Sequence, residues 1–283
     1  MNDYFMNEPT IISFSGGRSS GYMLHKILEA HGGLPEHIKV YFANTGKEME
    51  QTLEFVRDCE VHWNCPITWV ELGGDECEIK RVGDKHTYGT KVVNFDTASR
   101  NGEPFAQLIN MRSYPPNPVA RFCTAELKIR RIQDHQKTLD MEFDQHAIGI
   151  RFDEPRRWSK MLSQPRADGH ERVLPMVHAQ VTKEMVGDFW KAQPFDLNLP
   201  NNQGVTDWGN CDLCMLKGRK KRISIIKQRP ELADWWIKQE EKSGSTFRKE
   251  QGESYKNLKR IALENEELFD PLPDITLGCY CGD

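Results

Sequence analysis

SFSGGRSSGY, residues 13–22, joins an apolar run that reads as a strand, TIISFS (Thr10–Ser15), to Met23, Leu24, Ile27 and Leu28 at helical spacing. A glycine-rich turn from a strand into a helix lets backbone N–H groups converge on one point. The helix N-terminus adds partial positive charge, and together they hold an oxyanion. Ser13, Ser15, Ser19 and Ser20 supply further hydroxyls, Arg18 a cation, and Gly16 and Gly17 a backbone that larger residues do not allow. The spacing is neither GxxxxGKS/T nor GxGxxG. On this stretch alone a plain turn with a serine cap stays open beside the phosphate reading.

Outward from this loop the pattern alternates. IKVYFA (Ile38–Ala43) is a second strand ending at NTG; Met49, Leu53 and Val56 repeat at i, i+4, i+7; ITWVEL (Ile67–Leu72) is a third strand. Strand, helix, strand, helix, strand implies a parallel sheet with covering helices, whose ligands collect beyond the carboxyl ends of the strands. HAIGI (His146–Ile150) resumes as a strand, so the loops after Ser15, Ala43 and Ile150 are the expected functional ones. Residues 73–100 have no clean period, and the proline-rich SYPPNPVARF (Ser113–Phe122) is expected to border a site. A helix is expected from Cys123, an edge strand at VLPMV (Val173–Val177), and a helix from an N-cap at Thr182 to about Lys191. Further helices are expected near Leu213–Gln228, Glu231–Lys242 and Tyr255–Leu268. A soft boundary near residue 195 divides an α/β domain, 1–195, from a helical C-terminal region, 196–283.

The 283 residues carry a formal net charge of −4, which gives no global case for nucleic acid, so any basic surface is local, as in LKGRKKR (Leu216–Arg222). No apolar run is long enough to span a bilayer and no basic segment precedes an apolar one at the start, so a cytoplasmic protein without membrane contact is expected. Eight cysteines are many for that compartment and point to metal or thiol chemistry. Cys211 and Cys214 form a CxxC, Cys279 and Cys281 close the chain, and Cys123 opens a helix close to Arg121, where a thiolate is favoured. CxxC by itself leaves zinc, iron–sulfur and a redox dithiol open. Cys59, Cys65 and Cys77 read as buried thiols. Trp235 and Trp236 read as helix packing, and Asp153 and Glu154 either bind Mg2+ or pair with Arg156 and Arg157.

Four stretches in order then carry a resemblance. SFSGGRSS is similar to the pyrophosphate-binding (PP) loop of the adenine nucleotide alpha hydrolases. NTGKEMEQTLEFV (Asn44–Val56), RFCTAELKIRR (Arg121–Arg131) and GIRFDEPRR (Gly149–Arg157) resemble further motifs of the phosphoadenosine phosphosulfate (PAPS) reductase-like branch. The resemblance covers residues 10–157 and implies a Rossmann-like sheet binding ATP or PAPS. Ser15–Ser20 would hold phosphate, Asn44, Thr45 and Gly46 would line the adenosine pocket, and Arg121, Lys128 and Arg151 would face the negative groups. Lys128, Arg151 and Cys279 are the catalytic candidates. The resemblance further implies a 4Fe-4S cluster on Cys123, Cys211, Cys214 and Cys281 or Cys279, since Thr124 stands where cluster-bearing reductases have a second cysteine. It implies a thioredoxin-like electron donor for sulfonucleotide reduction, with a homodimer as a further expectation. Two departures matter. Ser19 stands where ATP-cleaving members have aspartate, a departure that bears on Mg2+, and the tail LGCYCGD does not match the ECGLH-like nucleophile motif of the reductases. LKGRKKR beside the CxxC and the missing nucleophile motif make ATP-dependent thiolation of tRNA or DNA the alternative, and a zinc-stabilised nucleotide-binding protein is the second.

Overall fold

The computed structural model describes residues 2–73, 80–82, 85–87, 89–163, 170–201 and 206–264. Cys77, Cys279, Cys281 and the expected helical residues beyond 264 lie outside them.

The N-terminal part builds β1 (Thr10–Ser13), α1 (Arg18–His31), β2 (Ile38–Ala43), α2 (Glu50–His62) and β3 (Ile67–Leu72). A small pair, β4 (Lys80–Val82) with β5 (Lys85–Thr87), and a fourth strand of the main sheet, β6 (Thr90–Val93), follow. Next come α3 (Glu103–Arg112), a π-helical turn over Thr124–Ile129, α4 (Arg130–Gln136), β7 (Gln145–Ile148), α5 (Pro155–Ser163), β8 (Glu171–Val173), α6 (Pro175–His178) and α7 (Lys183–Lys191). The C-terminal part contributes α8 (Arg219–Gln228), α9 (Leu232–Ser243) and α10 (Tyr255–Glu264).

The main sheet has six strands in the order β6-β3-β2-β1-β7-β8, parallel throughout except for β6. This is the expected Rossmann-like α/β architecture. Strands β2 and β3 are buried along almost their whole length, as runs such as IKVYFA require when both faces of a parallel sheet are covered. The larger apolar core takes in Ile12, Phe14, Phe42 and Trp69. A smaller one collects Ile11, Tyr41, Val70, Ile132 and Phe143, with Ile132 supplied by α4. Alternate residues of β1 and β2 thus point into different cores, the period-2 geometry of a strand. The sheet order reverses between β1 and β7, and that reversal is where α/β sheets open a crevice at their carboxyl ends.

Three expectations need adjustment. VLPMV is strand only to Val173; Pro175 then starts the single turn of α6, since proline fits a helix start and not a strand interior. The helix expected from Leu213 begins at Arg219, because Cys211–Lys217 forms turns closed by Cys214 N to Cys211 O at 3.2 Å and Lys217 N to Cys214 O at 2.9 Å. The helix after Cys123 opens with a π turn, a rare register often found at functional sites. The larger core also runs across residue 195: Trp236, fully buried, lies 5.7 Å from the Phe105 ring of α3, 4.8 Å from Phe247 and 5.1 Å from Tyr255.

Candidate functional site

The loop after β1 is shaped by its own hydroxyls. Ser20 Oγ accepts from Ser15 N at 3.2 Å, lies 2.9 Å from Ser15 Oγ and donates to Gly17 O at 2.9 Å. Gly16 has φ 76°, and a Cβ there would lie 2.6 Å from Thr52 Cγ2 of α2, so only glycine fits. Gly17, extended, starts α1 without a side-chain cap, which leaves the first-turn N–H groups to whatever occupies the loop. Arg18 turns to Asp196, donating Nε to Oδ1 at 2.7 Å and Nη2 to Oδ2 at 2.5 Å, while Trp190 Nε1 donates to Arg18 O at 2.9 Å. Arg18 thus clamps the loop to the segment after α7. Beneath the loop, Ser13 Oγ meets buried His146 Nε2 at 2.5 Å.

The turn after β7 closes over this loop. A Cβ on Gly149 would stand 2.9 Å from Ser20 Cα and 3.2 Å from Ser20 N, so glycine permits the backbones to touch. Arg151 then donates Nη1 to Ser19 Oγ at 3.0 Å, with Nε on Asp153 Oδ1 at 2.8 Å. Glu154 accepts from Arg151 N at 3.1 Å and from Arg157 Nη1 at 2.5 Å. Asp153 and Glu154 are thereby engaged as ion-pair partners of Arg151 and Arg157. The first and fourth motifs of the sequence meet, and the result is a cup of backbone N–H groups, hydroxyls and one guanidinium at the carboxyl ends of β1 and β7. Replacing Gly149 by alanine is expected to cost ~1–3 kcal/mol by overpacking and to part Arg151 from Ser19; thermal melting and nucleotide titration of Gly149→Ala check it.

The turn after β2 is buried and largely bonded within itself, while Glu48 Oε1 is buried without a hydrogen bond. Asn44 Nδ2 donates to Glu71 Oε1 at 2.5 Å and to Ser99 O at 2.8 Å, and Asn44 Oδ1 accepts from Gly46 N at 3.1 Å. Thr45 donates both N, at 2.9 Å, and Oγ1, at 2.8 Å, to Glu48 Oε2. Glu48 Oε1 faces Lys128 Nζ at 3.8 Å, and Thr45 Oγ1 lies 3.4 Å from Cys211 Sγ. Lys47 forms a buried ion pair with Asp212, Nζ to Oδ2 at 2.8 Å. The CxxC is therefore built onto the NTGK turn, and Asn44, Thr45 and Gly46 serve as its framework. Arg121 Nε donates to Pro118 O at 2.9 Å, within the proline-rich connection.

Among the described residues no group of three or more His, Cys, Asp or Glu is placed to hold a metal ion. Burial, with the charge of Glu48 adding to it and that of Lys128 opposing, pushes the Cys211 thiol well above its ordinary range in the metal-free chain. As placed, Cys123, Cys211 and Cys214 do not fit a cluster by themselves, and Cys279 and Cys281 lie outside the described residues. Cys59 and Cys65 are the buried thiols expected, Cys65 pushed up to about 12 by burial and then by Glu60.

LKGRKKR forms a smaller basic surface than its five cations suggest, since only Lys220 and Lys221 reach solvent to any large extent. Arg219 and Arg222 are 1% and 0% exposed, and both pair with Glu253. Lys217 Nζ donates to Asp212 O at 2.8 Å, and Lys221 pairs with Asp207 at 2.7 Å. Helical spacing turns Arg219, Arg222, Ile223 and Ile226 to the interior together. Glu48, Glu71, Asp196 and Asp212 are the site residues that the sequence reading missed. Glu48 and Asp212 lie inside quoted motifs, but a single acid in a motif carries no signal until its partner is known.

No family model matches the chain. Over 216 residues it is 29% identical to the uncharacterized nin region protein ORF290 of Escherichia phage lambda, covering 75% of this chain and 67% of that protein. In structure it aligns with the U34-tRNA thiolase NcsA from Methanococcus maripaludis, solved with its 4Fe-4S cluster, over 98% of this chain and 77% of that one, at 17% identity and a TM-score of 0.38. So loose a superposition assigns no residue here. Among the described residues no helix is long and apolar enough to cross a membrane.

Proposed function

We propose that this chain is a nucleotide-dependent enzyme of sulfur chemistry that binds ATP in the cup and activates an acceptor for sulfur insertion. The observation that supports the nucleotide half is the Arg151–Ser19 contact at 3.0 Å under Gly149, which brings two distant motifs together at the sheet's reversal point. The sulfur half rests on the thiol of Cys211 against the NTGK turn, at the carboxyl end of the neighbouring strand β2.

In this reading a carbonyl oxygen of the acceptor, tRNA or DNA, attacks the α-phosphorus of ATP. The bond to pyrophosphate breaks, and the leaving charge is met by the first-turn N–H groups of α1, the Ser19 hydroxyl and Arg151. Hydrosulfide, taken up as a co-reactant, then adds at the activated carbon, AMP departs with the oxygen and a proton is lost, leaving a C=S group. The four-thiol set Cys123, Cys211, Cys214 and Cys281 is a separate proposal, decided by iron, acid-labile sulfide and zinc per chain.

One observation favours a second reading. Ser19 offers Arg151 a hydroxyl where a carboxylate would bind Mg2+, as suits a PAPS site with a thioredoxin-like donor. The test compares two assays on the same preparation: pyrophosphate and AMP from ATP with bulk tRNA or DNA, and sulfite from PAPS with reduced thioredoxin. Acceptor-dependent AMP supports transfer; sulfite release without AMP overturns it in favour of reduction. Arg151→Ala is expected to weaken nucleotide binding by about 10- to 100-fold, the range for a charge-assisted contact to phosphate. Calorimetric titration checks this, and unchanged affinity would remove Arg151 from the cup.

A further inference from the structure

Helix α5 runs from the rim of the cup, and none of its nine residues is buried. It is held at its ends. Glu154, just before it, binds Arg151 and Arg157, and Arg172 of β8 donates to the Met161 carbonyl near its last turn. The helix PRRWSKMLS carries Arg156, Arg157 and Lys160 and no acid, in a chain whose formal charge is −4. The two acids that precede it are engaged: Asp153 accepts from Arg151 Nε and Lys183 N, and Glu154 from Arg157. Arg156 and Lys160, one helical turn apart, are exposed. Phe152 is 43% exposed, and Trp158, whose Nε1 donates to Phe152 O at 3.1 Å, lies beside it.

A basic, uncovered helix with an aromatic at its start, continuous with an anion cup, matches the chemistry of a polynucleotide: phosphates for the cations and a base for the exposed ring. We infer that α5 is the docking surface for a polynucleotide acceptor, delivering it to the nucleotide in the cup. This rests on the proposed transfer reaction and moves the nucleic-acid contact from LKGRKKR, two of whose five cations, Arg219 and Arg222, are buried on Glu253, to PRRWSK.

The full chain is titrated against fluorescein-labelled single-stranded DNA and against bulk tRNA, followed by anisotropy at about 50 and about 200 mM salt. Wild type is expected to bind at least one of them, more weakly at the higher salt, and the preferred one names the acceptor class. Arg156→Glu with Lys160→Glu is expected to lose about tenfold or more in affinity. Its circular dichroism and ATP affinity are expected to stay unchanged, and Lys220→Glu on the LKGRKKR run to bind like wild type. Equal binding by the double variant, an equal loss in Lys220→Glu, or binding to phosphatidylserine vesicles but to neither polynucleotide overturns the inference. A wild type that binds polynucleotide but not ATP refutes the transfer reading instead, so the two failures are distinct.

Discussion

Glu253→Ala is expected to cost about 3–5 kcal/mol, the range for stripping the partner from a buried charge, and to melt the C-terminal helices first. Three guanidiniums converge on this carboxylate: Arg219 Nη1 at 2.8 Å, Arg222 on Oε2, and Arg248 Nη1 at 3.4 Å, with the three arginines 1%, 0% and 3% exposed. They also donate to carbonyls, Gly252 O from Arg219, Lys217 O from Arg222 and Met215 O from Arg248, contacts that hold the groups in place without cancelling charge. Glu253→Gln, which keeps an acceptor and removes the charge, is expected to fall between wild type and alanine. The sign of the pH dependence follows. Burial pushes the Glu253 carboxyl up, but Arg222 and Arg219 outweigh it and hold it below the ordinary carboxylate range. Its stabilisation is therefore complete above the unfolded carboxylate value and is lost as pH falls through the lower folded one. Urea unfolding of the two variants at neutral pH and of wild type down to strongly acid pH measures both effects. An alanine variant within about 1 kcal/mol of wild type would show the cluster to be dispensable.

The same cluster shows where sequence reading stops. LKGRKKR was legible as charge, and its period held the signal that Arg219 and Arg222 share a face with Ile223 and Ile226. The acid that balances them is 31 residues further on, in a turn without a pattern, so only the fold reveals a buried network in place of a surface. By contrast β1, β2 and β3 were legible as apolar runs bounded by turn residues, and α1 and α2 by apolar residues at helical spacing. β6 was not, since TKVV is a short antiparallel edge with Val92 55% exposed inside the stretch without a clean period, and α3 lies between that stretch and SYPPNPVARF, where no element was expected. SGGRSS and GIRFDEPRR meet through Arg151 on Ser19, while the other contacts of their side chains depended on rotamers. Arg18 was expected toward phosphate and turns to Asp196; Ser20 was expected as a donor to phosphate and pins the loop. A motif fixes which residues gather, and packing decides which of them face the ligand.

Lys47→Met is expected to have the other large effect, because it breaks the pair that joins the turn after β2 to the CxxC. Lys47 Nζ lies 2.8 Å from Asp212 Oδ2, both side chains under 9% exposed, and 5.0 Å from the Trp235 ring. The backbones are tied as well, Asp212 N to Lys47 O at 2.8 Å. Asp212 Oδ1 is already held by Trp236 Nε1 at 2.8 Å and Leu213 N at 2.6 Å, so loss of Lys47 strands the charge on Oδ2 in the core. The expected cost is about 3–5 kcal/mol, and Lys47→Met with Asp212→Leu is expected to regain part of it, because the double change leaves no buried ion. The consequence reaches the thiol. Asp212 lies between Cys211 and Cys214, and Cys211, buried against Thr45, is expected to react slowly with a thiol reagent in wild type. In Lys47→Met under native conditions, Cys211 is expected to label faster, with saturating ATP slowing it again by holding the turn after β2. Faster labelling without ATP protection would separate the thiol from the nucleotide site, and labelling at the wild-type rate would show that the Lys47–Asp212 pair does not hold the CxxC. Both would contradict a site in which one buried ion pair carries the state of the nucleotide turn to the cysteines.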